Sequence, residues 1–159
     1  MHVPTLYLDT SVIGGLFDDE WKDATKDLFS LAGLGVYHLV ASVVTAKEVL
    51  GAPPQVQACF AEKFTDPAQI FELSPSAETL AQAYLAAGVV SPKYADDARH
   101  VAIATVNQVG LVVSWNFKHL ANIKREAGFN AVNLLQGHPQ IRILTPLEFI
   151  NEDDEDQDL

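Results

Sequence analysis

Four short stretches of this chain place oxygen donors beside apolar segments. LYLDTSV carries Asp9 and Ser11 behind an apolar run, and TAKEVLG carries Glu48 among valines and leucine. DDARHVAIATVNQVG opens on Asp96 and Asp97, and LVVSWNFKHL runs from apolar residues into Ser114 and Asn116. In open parallel sheets ligands gather at the carboxyl ends of the strands, so these acids would converge on one rim. Carboxylates held close repel one another unless a cation neutralises them. An oxygen-only donor set points to a hard divalent ion, Mg2+ or Mn2+, which stays partly hydrated and bridges to phosphate. Such ions activate water and stabilise charge on a phosphodiester. Each residue also has a structural use. Asp9 and Asn116 could cap the helices that follow them, Asp96 and Asp97 sit where a helix dipole favours negative charge, and Glu48 could be a surface acid. Their joint occurrence at one rim carries the chemical reading.

The elements that must position these residues follow from hydrophobic patterning. Residues 5–9 form a short strand ending on Asp9, and Thr10 or Ser11 caps a helix carrying Val12, Ile13, Leu16 and Phe17. Residues 20–33 repeat apolar side chains at helical spacing. Tyr37–Ala41 reads as a strand, and a helix from Ser42 or Thr45 through Leu50 is stopped by Gly51, Pro53 and Pro54. Helix is expected over 55–64 and 76–87, with a short strand at Ile70–Leu73 between them. Tyr94–Val109 carries a stripe of Ala95, Ala98, Ala102, Thr105 and Val109 and predicts a long helix closed by Gly110. Leu111–Ser114 has the continuous apolar pattern of a strand buried on both faces. Helix over 117–127 and a last strand at Ile141–Leu144 complete the reading. Strands alternating with helices predict an α/β fold, a three-layer α/β/α sandwich around a short, mainly parallel sheet. It would form one domain over 1–150, followed by an acidic tail over 151–159.

The 159 residues are 48% hydrophobic and 19% charged, which excludes a mostly disordered chain. No apolar run approaches a membrane span, and MHVPTLYLD has no basic segment leading into a long apolar stretch, so the expectation is a cytoplasmic protein with no membrane partner. The single cysteine, Cys59, excludes an intramolecular disulfide and reads as a small buried apolar residue. The net charge is −11, and removing the six acids of NEDDEDQDL takes it to −5. A terminal block of like charge reads as a solvated tail. It could also pair with the basic side chains Lys118, Lys124 and Arg125, an attraction that salt would screen. An acidic body argues against gripping nucleic acid by charge alone. It does not argue against a metal enzyme.

Taken together, LYLDTSV, TAKEVLG, DDARHVAIATVNQVG and LVVSWNFKHL resemble the four motifs of the PIN-domain ribonuclease family, in order over nearly all of 5–150. The resemblance is closest to its VapC-like toxin branch in type II toxin–antitoxin pairs. It implies an α/β/α domain that cleaves RNA with Mg2+ or Mn2+, a small antitoxin protein as partner, and a homodimer. Carried over, Asp9, Glu48 and Asp97 would be catalytic metal ligands, Asp96 an auxiliary ligand, Asn116 the residue that orients water, and Ser11 the residue that fixes a carboxylate. Asn116 stands where relatives have an acid, and His119 where many have another. Arg99, Lys118, Lys124 and Arg125 would hold RNA phosphates. His100 and His119 read as ordinary helix residues, and Trp115 as a core or interface aromatic. A haloacid-dehalogenase phosphatase would need an acid at Ser11, and an aspartic protease would need a β-rich dimer. The rival from another class is a non-catalytic PIN-like module that binds RNA or protein.

Overall fold

The computed structural model describes residues 2–149; Met1 and residues 150–159, including the expected acidic tail, lie outside the described residues. In chain order the elements are β1 (Thr5–Leu8), α1 (Thr10–Gly15), α2 (Lys22–Gly33), β2 (His38–Ser42), α3 (Val43–Leu50) and α4 (Pro54–Lys63). They continue with β3 (Ile70–Phe71), α5 (Pro75–Ala86), α6 (Ala95–Val106), β4 (Leu111–Val113), α7 (Ile123–Leu135) and β5 (Arg142–Leu144). The five strands form one sheet in the order β3-β2-β1-β4-β5, with every neighbouring pair parallel. Tyr7 pairs with Val40 on one side and Val112 on the other. The strand order reverses between β1 and β4, so the crevice beyond their carboxyl ends is the topological switch point where such sheets bind ligands.

Side chains alternate across the sheet with the period of two that a strand imposes. Leu6 and Leu8 of β1 pack with Val12, Ile13, Leu28, Val56 and Cys59 on one face. Tyr7 packs with Leu80, Tyr84, Val101, Ile103 and Phe129 on the other. Helices therefore cover both faces, which is the three-layer α/β/α arrangement. Cys59 is buried and unpaired. No helix among the described residues is long and apolar enough to cross a membrane.

Two helix boundaries differ from the sequence pattern for identifiable reasons. The helix expected over 117–127 begins only at Ile123 and runs to Leu135. Asn116 accepts the His119 backbone N–H at 3.0 Å, and Asn122 accepts that of Arg125 at 2.9 Å. Short polar side chains that bond nearby backbone favour turns and caps over helix interiors, so residues 117–122 form turns and Asn122 caps α7. The helix expected through Val109 stops at Val106, because Gln108 takes the left-handed conformation (φ 60°) ahead of Gly110.

The chain leaving β1 is packed closely against the chain leaving β4. Trp115 donates from Nε1 to Thr25 Oγ1 at 2.9 Å and stacks on Trp21 with ring centroids 4.4 Å apart. Gly15 lies under this pair, and a Cβ there would meet Trp115 Nε1 at 2.6 Å and Thr25 Oγ1 at 2.8 Å. Gly15→Ala should therefore destabilise the fold by about 1–3 kcal/mol, the usual cost of overpacking. Gly14→Ala, with nothing within 4 Å of its Cβ, should be nearly neutral. Thermal unfolding of both variants checks this, and equal melting temperatures would show that the indole yields freely.

Candidate active site

The switch point is built around one buried acid. Asp9 follows β1 at the N-cap position of α1, but its carboxylate does not cap that helix. Ser11 Oγ donates to Oδ1 at 2.6 Å, and Ser114 Oγ, at the end of β4, donates to Oδ2 at 2.6 Å. Both hydroxyls are fixed in turn. Ser11 Oγ accepts the Trp115 N–H and Ser114 Oγ accepts the Asn116 N–H, each at 2.9 Å. Burial pushes the Asp9 carboxyl above its ordinary value; His100 and the two serine hydroxyls oppose that shift, and Glu48 adds to it.

Glu48 is set in place by a helix that starts without a loop. Ser42, the last residue of β2, caps α3 by accepting the Val44 N–H at 3.1 Å, and Thr45 Oγ1 accepts the Ser42 N–H at 3.3 Å. This reciprocal capping fixes the first turn of α3. One turn and a half further on, Glu48 Oε1 accepts from Thr10 Oγ1 at 3.2 Å and from His100 Nε2 at 2.5 Å. His100 is fully buried, and its other nitrogen, Nδ1, lies 2.6 Å from the Tyr7 hydroxyl, which lies 2.7 Å from Ser42 Oγ. Burial alone would push the imidazole down. The Tyr7 oxygen, the bonded Glu48 carboxylate and Asp9 reverse that and hold it well above its ordinary value.

Asp97 sits in the first turn of α6, three residues before His100, so the two share a helix face. Its carboxylate makes no hydrogen bond to the protein among the described residues. Burial pushes its pKa up to about 6; His100 lowers it, while Asp9, Glu48 and Asp96 raise it. Asp9, Glu48, Asp97 and His100 therefore share one electrostatic field at the β1/β4 crevice.

The remaining sequence-nominated residues have other engagements. Arg99 donates to Asp96 Oδ1 at 2.8 Å and to Glu78 at 2.9 and 3.1 Å. Asp96 and Arg99 thus neutralise one another beside a groove lined by Val44, Lys47, Leu73 and Glu78. Asn116 Oδ1 holds the His119 turn. His119 is not helical; it is buried and stacks on Tyr94 at 3.7 Å, tying the turn after β4 to the start of α6. Arg125 donates to the Val89 carbonyl, while Lys118 and Lys124 are exposed. Tyr7, Thr10, Ser42 and His100 were not nominated from sequence. A signal existed for two of them: Tyr7 is two residues before Asp9, and His100 is three after Asp97.

As they stand, no three His, Cys, Asp or Glu side chains among the described residues are arranged to close on one metal ion. The donor chemistry nonetheless suits a hydrated ion. Mg2+ is commonly held by one or two carboxylates, with waters and substrate phosphates completing its shell. Asp97 has no competing protein partner, and both contacts to Glu48 fall on Oε1, leaving Oε2 unengaged.

No family model matches the sequence, and no curated protein matches it either. Solved structures do match. A chain of VapBC2 from Rickettsia felis, bound to a DNA fragment from the promoter, superposes with a TM-score of 0.56 at 12% identity, over 89% of this chain and 98% of that one. FitAcB from Neisseria gonorrhoeae gives 0.56 at 14% identity, over 89% and 98%. FitAB bound to an IR36 DNA fragment gives 0.54 at 14%, over 89% and 94%. The chain has the VapC-like PIN fold. In this PIN-like sheet the acidic crevice lies at the switch point that the strand order creates.

The Asp97 shift has a stability consequence. The folded chain holds the carboxyl at about 6, against an ordinary value of 3.8. Between those values the folded state keeps a proton that the unfolded state has released, so stability falls as pH rises through that window. The cost is absent below about 3.8 and complete above about 6. Asp97→Asn removes it. The variant should melt higher than the wild type near about pH 7, and the gap should close toward acid pH. Melting curves across pH check this; a lower melting temperature for the variant at neutral pH would show that Asp97 is held by favourable contacts instead.

Proposed function

We propose that this chain is a metal-dependent endoribonuclease that hydrolyses RNA phosphodiester bonds and serves as the toxin of a bacterial toxin–antitoxin pair. The observation that carries the reading is the gathering of Asp9, Glu48 and Asp97 at the β1/β4 switch point, with Asp97 pushed up to about 6 by burial and by its acidic neighbours. A carboxyl raised by burial and by acidic neighbours in a crevice is a functional-site candidate. The fold neighbours support the toxin assignment, since they are chains of VapBC and FitAB assemblies. A small antitoxin and a second copy of the chain are the partners this reading carries, and the cytoplasm is its compartment.

Under this reading Asp9, Glu48 and Asp97 hold Mg2+ or Mn2+, and Asp96 adds charge from the flank. The bound ion supplies charge neutralisation and water activation at the scissile phosphate. Ser11 and Ser114 favour the ionised form of Asp9 and aim it, because their hydroxyls replace the water it has lost. Asn116 shapes the turn after β4 that carries Lys118, and its amide nitrogen is left to orient water. Lys118 and Lys124 meet substrate phosphates; Arg99 and Arg125 contribute less, since each already has protein acceptors.

A second reading has an observation of its own. Glu48 is held by His100, and Asn116 Oδ1 by backbone, which would suit a non-catalytic module that binds RNA or protein. One experiment separates the two. A single-stranded RNA incubated with Mn2+ or Mg2+ should be cut, and a chelator should stop the reaction. Asp9→Asn and Asp97→Asn should each lose about 100-fold or more in kcat, as removal of several kcal/mol of charge stabilisation requires. The products should carry 5′-phosphate and 3′-hydroxyl ends. Cleavage that survives either substitution, or a 2′,3′-cyclic phosphate product, would overturn the mechanism. RNA binding without cleavage at any metal concentration would establish the second reading.

A further inference from the structure

His100 is the one buried imidazole of the crevice, and both of its nitrogens are engaged. Its contacts form a closed circuit. Ser42 Oγ caps α3 and meets the Tyr7 hydroxyl, Tyr7 meets His100 Nδ1, and His100 Nε2 meets Glu48 Oε1, six residues along the same α3. The circuit joins β1, α3 and α6, the three elements that carry Asp9, Glu48 and Asp97. Its direction is set at one end, because a carboxylate only accepts: Nε2 must carry the proton it donates to Glu48. Tyr7 cannot drift, being fully buried between β2 and β4 in register with Val40 and Val112. The His100 ring also meets the Tyr7 ring edge-on at 5.6 Å. A glutamate on an open rim has three rotatable bonds to choose from. Here Oε1 is pinned from the core side by His100 and from α1 by Thr10, so the free oxygen, Oε2, has one allowed region.

We propose that His100 is a positioning residue: held by Tyr7, it clamps Glu48 so that the carboxylate presents Oε2 to a divalent ion. The proposal rests on the metal-site reading above and deepens it. A histidine that merely fills core volume would affect stability, not the coupling between Tyr7, Glu48 and metal binding. A residue that orients a metal-binding carboxylate should change metal affinity by about 10–100-fold when it is removed, and only while Glu48 is present to be oriented.

The test uses the full chain and Mn2+ itself, with free Mn2+ read by electron paramagnetic resonance. Tyr7→Phe keeps the ring packing and the histidine but removes the hydroxyl that fixes Nδ1. It should weaken Mn2+ binding about 10-fold, and His100→Gln by more, up to about 100-fold. In a Glu48→Gln background neither change should weaken binding further. Circular dichroism establishes that each variant is folded, and Tyr7→Phe keeps the test decisive if His100→Gln is not. Unchanged affinity in a folded Tyr7→Phe chain, tighter binding in His100→Gln, or an equal loss in the Glu48→Gln background would each overturn the clamp.

Failure of the metal reading is visible separately, as absence of Mn2+ binding by the wild type. The clamp is then read from imidazole NMR of 15N-histidine-labelled protein. A slowly exchanging His100 Nε2–H signal that shifts in both Glu48→Gln and Tyr7→Phe supports it. A rapidly exchanging or unshifted signal overturns it.

Discussion

An ionised carboxylate taken out of water must find its hydration replaced by hydrogen bonds or charge, and much of this structure meets that demand for Asp9. The two hydroxyls that grip it come from positions 11 and 114, far apart in sequence and adjacent only because β1 and β4 pair in parallel with Leu8 opposite Val113. A slip of that register by one residue would turn Ser114 to the other face of the sheet and leave one oxygen bare. The close packing of Gly15 beneath Trp115 and Thr25 belongs to the same requirement. It keeps the chain leaving β1 near the chain leaving β4, and Trp115 N–H is one of the bonds that aims Ser11.

Around this acid the charges are arranged by depth. Glu48 and Asp97 approach Asp9 from two helices, and a fully buried imidazole stands among them with its basicity raised by the oxygens it touches. Two buried or half-buried negative charges in one crevice would each lift the other's pKa; a cation between them lowers the repulsion without any ion from solution. That explains how the crevice is tolerated as a folded surface, while Asp97, whose carboxylate lacks a direct hydrogen bond, is still pushed up to about 6. Farther out, Arg99 closes a separate circuit with Asp96 and Glu78. The flanking acid is thereby held beside the cluster, with its charge matched by the guanidinium.

The α/β/α layering and most elements were legible because the local signals agreed: short apolar runs ending on polar residues, helices bounded by Ser, Gly and Pro. The fully parallel sheet and the reversal at β1/β4 follow from pairings between distant segments, which periodicity does not report. The misplaced helix start after β4 has a local cause, since Asn116 and Asn122 each bond backbone three residues on, and a pattern of apolar residues over 117–127 does not distinguish a capped turn from a first helical turn. The acids of the crevice could be nominated by type and by position at strand or helix ends. Their hydroxyl and imidazole partners could not be ranked that way. Ser114 was visible only as a strand terminus, and His100 on an alanine-rich helix reads as an ordinary helix residue until Glu48 and Tyr7 are seen on either side of it.

The same arrangement bears on how an acidic protein would hold a polyanion. A nucleic-acid binder that relies on charge displays a basic stripe, releases counterions and loses affinity steeply with salt. Here Arg99 is neutralised by two carboxylates and Arg125 is turned to a backbone carbonyl. The exposed cations nearest the crevice residues in sequence are Lys47, Lys93 and Lys118, three side chains on separate segments. Under the proposed function, so sparse a set gives phosphate contacts that orient a strand without gripping it. The attraction that remains must come from the site itself, where a divalent ion converts an acidic crevice into one that accepts a phosphodiester. Substrate and ion would then bind together, each making the other's place, and an acidic surface that repels RNA in the absence of metal becomes part of the selectivity instead of an obstacle to it.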